Sequence, residues 1–256
     1  MSDALRFEWV RIRTLRSTWW LIASALLLNI ALALGIALLT RNDPPDGEVV
    51  GIAVTGGGAS SPVPLVGVFL AVVGILATGH EYRYGTIQPT LTTVPHRSAL
   101  LTAKIVVLAA TALVVTAASL VTTLTTTLLV RGEAPGLTDW PLNAAIPGHF
   151  VLVLLWTVLG AALAQLFRGV PAALVVILVV PLVVEQLIIS LSYVPVLHWL
   201  APAVKFLPFT AGQQLVHLGG EADAELFGRW ASGGVLAAFV AIVLAAAWTL
   251  FTRRDA

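Results

Sequence analysis

The sequence predicts an all-α, polytopic integral membrane protein with six transmembrane helices, an N-terminal interfacial helix and both termini on the cytoplasmic side. Three observations predict it. Of the 256 residues, 58% are hydrophobic and only 11% are charged, and mean hydropathy is +0.95. Soluble domains carry about 25% charged residues, so lipid is the solvent for most of this surface. The apolar residues fall into six runs, most of them near the ~20 residues that a spanning helix requires. Basic residues gather on alternate connections between those runs. The whole chain, 1–256, reads as one transmembrane domain.

The runs cover residues 18–39, 63–78, 100–130, 146–167, 170–190 and 232–251. The first is too long for the ~7–15-residue core of a signal peptide. No small-x-small cleavage site follows it at Thr40 to Asp43, so it reads as a retained helix. The second is short and the third is long enough to tilt. Pro171 and Pro181 predict a kink or partial unwinding in the fifth.

Orientation follows from Lys and Arg. With the termini inside, the inner segments hold Arg6, Arg11, Arg13, Arg16, Arg83, Arg97, Lys104, Arg168, Arg253 and Arg254, ten of the 14 basic residues. The outer segments hold Arg41, Arg131, Lys205 and Arg229, with eight acids.

Residues 1–17 precede the first span. Leu5, Trp9, Ile12 and Leu15 share one helical face and the arginines lie elsewhere, the pattern of a helix lying in the headgroup layer. The plainer alternative is a basic flank that only orients the first span. Trp19 and Trp20 mark the interface. Outside, residues 41–62 are rich in Gly, Pro and Ser and read as a flexible linker that includes Gly56, Gly57 and Gly58. Residues 191–231 predict short helices that dip into the outer leaflet.

Several chemistries lack their residues. With no cysteine there is neither a disulfide nor a thiolate metal site. No phosphate loop of the G-x-x-x-x-G-K-[ST] type occurs, and no G-x-S-x-G turn. His80 and His96 are too far apart to argue for a metal. No basic and aromatic patch suggests nucleic acid. An enzyme embedded in the membrane needs clustered acid, base or nucleophile, and none appears.

Within the spans, Thr122, Thr126 and their neighbours either pack and bond back to their own helix or line a polar path. Glu185 is the one acid inside a predicted run. Beside Gln186 it either faces a path or subunit interface, or serves as a structural hydrogen-bond acceptor.

Residues 80–98 form the most informative polar insert, between the second and third runs. Glu81 and Arg83 place both charges at the mouth of the second span. Gly85 permits a sharp turn, and Pro89 and Pro95 limit helix length. The insert is either a compact docking segment for a soluble partner or a simple turn.

The run Glu81-Tyr82-Arg83-Tyr84-Gly85-Thr86-Ile87 is followed by Thr90-Leu91, Val94-Pro95-His96-Arg97 and Ala103-Lys104. Together they resemble the signature of ABC transporter permeases of the type-2 exporter class. Leu207-Pro208-Phe209-Thr210-Ala211-Gly212-Gln213 and the ending Phe251-Thr252-Arg253-Arg254-Asp255 resemble the same family. The resemblance implies a permease subunit in the plasma membrane of a bacterium, without its own ATPase site. It implies a homodimeric pair of permeases and two copies of a separate ABC ATPase subunit, which binds ATP and Mg. Glu81, Tyr82, Arg83, Tyr84, Gly85, Thr86, Pro95 and Arg97 would belong to the coupling helix that transmits ATPase motion. Glu185, Gln186, Thr122 and Thr126 are the candidates for the translocation path or the dimer interface. The apolar walls favour a hydrophobic or amphipathic cargo. The alternative function is a secondary carrier driven by an ion gradient.

Overall fold

The computed structural model describes residues 2–41, 47–86, 97–132, 142–219 and 226–253. Most of these residues are helical, with no strand among them. α1 (Ser2–Thr14) turns at Leu15 into α2 (Arg16–Leu39). α3 (Gly47–Val54) precedes α4 (Leu65–Arg83), α5 (Arg97–Arg131) and α6 (Leu142–Phe167). α7 (Val170–Val179) passes through a π-helical turn at Val180–Val184 into α8 (Glu185–Ser192). A 3-10 turn (Pro195–Leu200), α9 (Ala201–Val204), α10 (Pro208–Gln213) and a second 3-10 turn (Gln214–Val216) lead to α11 (Arg229–Arg253).

Six of these segments are long and apolar enough to cross a membrane: α2, α4, α5, α6, α7 to α8, and α11. They make a multi-pass membrane fold. α4 and α6 form its centre, since 61% and 67% of their most apolar windows are buried against 22–33% elsewhere. Small residues let these two approach. A Cβ on Gly160 would overlap the Ala71 carbonyl, and one on Gly74 would lie 2.6 Å from the Thr157 carbonyl oxygen. Without a hydrophobic drive between helices in lipid, such close backbone packing is a main source of association. Trp156, fully buried on α6, meets Phe209 of α10 edge-to-face at 5.0 Å and extends the core to α11 through Phe239.

The ends of α4, α5, α6 and α11 converge with α1. Tyr82, Leu100, Leu101 and Phe251 share one cluster, and Gln165 donates to the Tyr82 hydroxyl. Ser2 and Arg253 therefore lie at the same end, together with the exposed Arg6, Arg13, Arg16, Arg83 and Arg168. This is the basic end.

Several expectations change. The second span does not stop at residue 78; α4 continues to Arg83, so the polar insert begins about one turn later. The linker at 41–62 is in large part folded, with 42–46 outside the described residues. α3 packs Val50 and Val54 against α5 and α6, and Thr55 is fully buried. Gly56 and Gly57 turn at φ +59 and +79, values that L side chains resist. On α1, the face against the bundle runs Ala4, Glu8 and Ile12, so Ile12 is taken up by the bundle while Trp9, 51% exposed, stays open to a headgroup layer. That face includes a glutamate because its partners are charged, as described next.

Candidate functional site

α4 delivers Glu81 to the basic end, where it is buried with a side chain 5% exposed. α5 brings Lys104, whose ammonium donates to Glu81 Oε2 at 2.6 Å. α1 brings Arg11, whose Nη1 donates to Glu81 Oε1, and Glu8, which accepts from the same guanidinium at 3.4 Å. Lys104 Nζ also lies 3.9 Å from Glu8. Two acids and two bases thus balance in one cluster that ties α1, α4 and α5 together. Burial lowers the Arg11 pKa and Glu8 opposes the shift; the guanidinium stays charged. Paired charges are the form in which buried ions persist, and removing one partner strands the rest.

Beyond Glu81 the chain turns outward. Tyr82 is half-buried and meets Gln165. Arg83, Tyr84, Gly85 and Thr86 are exposed. Tyr84 caps α4 by donating its N–H to the His80 carbonyl, and Gly85 follows at φ +65 in the left-handed region. The Arg83 guanidinium lies 5.7 Å from the Tyr84 ring, and His80 packs edge-on to that ring at 5.5 Å. Pro95 lies outside the described residues, as does the Arg97 side chain, although Arg97 begins α5. The predicted set therefore divides. Glu81 points into the protein, while Arg83 to Thr86 form an exposed apex on top of it.

Glu185 sits far from this end in sequence and has a full set of partners. It is 1% exposed. Its Oε1 accepts the Phe209 N–H at 2.9 Å; its Oε2 accepts the Thr210 N–H at 2.6 Å and the Thr210 hydroxyl at 2.7 Å. These amides belong to the first turn of α10, which begins at Pro208, so the carboxylate caps that helix from α8. The π-helical turn just before Glu185, at Pro181, widens the helix where the carboxylate emerges. Gln186 next to it is half-buried.

Thr122 and Thr126 are half-buried and bond back to the carbonyls of Ser119 and Thr122 at 2.9 and 2.8 Å. The buried hydroxyls of α5 are instead Thr116, Ser119, Thr123 and Thr127. Facing them from α2, Asn29 is 1% exposed and donates to Thr123 Oγ1 at 2.7 Å. Its Oδ1 has no hydrogen-bond partner among the described residues.

Sequence reasoning missed Glu8, Arg11 and Asn29 as contact residues. Lys104 offered the available signal: it falls inside the third apolar run, and a charge at that depth demands a partner. Among the described residues no group of three or more His, Cys, Asp or Glu has the arrangement of a metal site. No protein-family model matches the chain, and no curated protein matches it.

Proposed function

We propose that this chain is the membrane-spanning permease subunit of an ATP-driven ABC exporter. It works as a homodimer with two copies of a separate ATPase subunit, which holds ATP and Mg. The exposed apex Arg83 to Thr86, rigidly backed by the Glu8–Arg11–Glu81–Lys104 cluster, is the observation that carries the reading. A soluble partner that grips the apex pushes on α4, and the ion pairs pass the push to α1 and α5. A floppy loop would absorb that displacement. The basic end is cytoplasmic by the distribution of Lys and Arg, which puts the apex where ATP is available. The motif in residues 81–104 supports the family reading.

The cargo is hydrophobic or amphipathic. Large side chains stay exposed along α2, α5, α7 to α8 and α11, for example Leu27, Val114, Leu182 and Ile242, and these faces meet lipid or the second subunit. Glu185 contributes by fixing α10, and Thr122 and Thr126 lie beside the buried hydroxyl face of α5. Transport in sealed vesicles tests the proposal. With the ATPase subunit present, export stops when ATP is withheld. Export that continues without nucleotide and collapses with the ion gradient identifies a secondary carrier instead.

A further inference from the structure

The connection between α2 and α4 does not stay at the surface. α3 carries the chain inward, and the turn after it, Thr55 to Gly58, lies over Asn29 in the middle of α2. A Cβ on Gly56 would stand 2.9 Å from Asn29 Oδ1, and one on Gly57 3.7 Å from the Leu32 side chain. α2 ends at Leu39, ten residues beyond Asn29, so the turn sits ~15 Å below that end. Arg131 of α5 donates to Thr40 Oγ1 at 2.7 Å and marks the same outer level. Between the two levels Leu34, Leu38, Leu128 and Leu129 are exposed, so apolar surface suited to lipid continues past the turn.

Non-helical backbone persists at membrane depth only where protein buries it or a cavity hydrates it. Here protein buries it. Thr55 and Gly56 are buried, and Gly51 abuts the Leu218 side chain. Val50 and Val54 pack against Leu120 and Leu124 of α5 and Leu142 and Ile146 of α6. The turn also closes on itself. The Thr55 hydroxyl donates to the Gly51 carbonyl and accepts the Ala59 N–H, and the Leu65 N–H donates to the Gly56 carbonyl.

What the turn covers is polar. Asn29 donates there to the Ser119 carbonyl and the Thr123 hydroxyl. His149, one turn beyond Ile146 on α6, is 2% exposed. Neither of its ring nitrogens, nor Asn29 Oδ1, has a hydrogen-bond partner among the described residues. Buried polar atoms are ordinarily paired with protein or water, so this seam would take up water once opened.

We infer that α3 and its glycine turn form a re-entrant seal. It enters the membrane from the side opposite the basic end and keeps water out of the polar seam between α2, α5 and α6. The seal needs neither an ATPase nor a cargo, so it stands or falls apart from the proposed function.

Single cysteines in the otherwise cysteine-free chain test it in sealed membranes. A membrane-impermeant maleimide is applied from the side opposite the basic end. Ser60→Cys, at an exposed position after the turn, reacts and shows that the reagent arrives. Ser119→Cys, at a position 1% exposed whose backbone carbonyl still accepts from Asn29, does not react. Adding Gly56→Val, which places a branched side chain against Asn29 at φ +59, raises labelling of Ser119→Cys roughly tenfold or more. Gly56→Ala gives a smaller rise and serves if Gly56→Val is poorly produced. Thr157→Cys, buried where α4 and α6 meet, stays unlabelled in every background. Ser119→Cys that reacts as fast as Ser60→Cys in the parent chain overturns the inference. So does Ser119→Cys that stays protected in folded Gly56→Val or Gly56→Ala protein. An equal rise at Thr157→Cys marks general loosening of the fold and also overturns it.

Discussion

Lys104 of α5 and Glu81 of α4 meet at 2.6 Å with side chains only 3% and 5% exposed, so their charges face each other and not water. Breaking a buried pair by removing one partner typically costs about 3–5 kcal/mol, whereas replacing both with apolar groups is often neutral. Lys104→Met is therefore expected to destabilise the fold by roughly that amount. The double variant Lys104→Met with Glu81→Leu recovers only part of the loss, because Arg11 also loses Glu81 and keeps only Glu8, at 3.4 Å. Thermal unfolding in detergent, compared across the cycle, measures the coupling.

The same burial changes how the apex must be tested. Glu81→Ala disrupts the cluster before it affects any partner, so a transport defect in it has two causes. Arg83→Ala touches an exposed side chain that stacks over the Tyr84 ring. It is expected to leave folding within about 0.5 kcal/mol. Under the proposed function it lowers transport-coupled ATP hydrolysis. Melting temperature and ATPase rate, measured on one preparation with the ATPase subunit bound, separate the two effects.

Glu185→Ala leaves the Phe209 and Thr210 amides without an acceptor. A buried amide that loses its partner costs about 1–3 kcal/mol. Hydrogen exchange at residues 209–213 should accelerate, with little change in α6. Glu185→Gln keeps one carbonyl oxygen and is expected to be milder. Uniform exchange across all three proteins would contradict the capping role.

Gly160 and Gly35 make a controlled pair. A side chain on Gly160 meets the Ala71 backbone, while a Cβ on Gly35 meets no heavy atom within 4 Å. Gly160→Val is expected to force α4 and α6 apart and to abolish recovery of folded protein. Gly35→Ala is expected to be neutral or to stabilise α2 by about 0.5–1 kcal/mol. Size-exclusion profiles and melting curves in detergent check both.

The six crossings were legible because hydrophobic runs contrast with their flanks over tens of residues. Their ends were less so. Gly79, His80 and Glu81 end the run in a one-dimensional reading, yet α4 continues through them because Arg11 and Lys104 neutralise Glu81 across helices. Such pairing joins positions 8, 11, 81 and 104 and has no local signature. Glu185 stood out as a lone acid among apolar residues, but its partners are backbone amides, which every residue carries. Only Pro208, a residue favoured in the first helical turn, hinted at them. Three consecutive glycines read as slack, whereas two of them adopt a left-handed turn packed over Asn29 and Leu32.

Contact between the apex and a soluble ATPase is the point on which the functional account turns. The cysteine-free chain allows a single thiol to be placed by Thr86→Cys. A short thiol-reactive crosslinker applied to inside-out native membranes should join position 86 to an ATPase subunit, which mass spectrometry then identifies by its nucleotide-binding peptides. A thiol at position 86 that reacts only from the opposite side of the membrane would contradict the account. So would one that is accessible from the basic side but captures no ATPase.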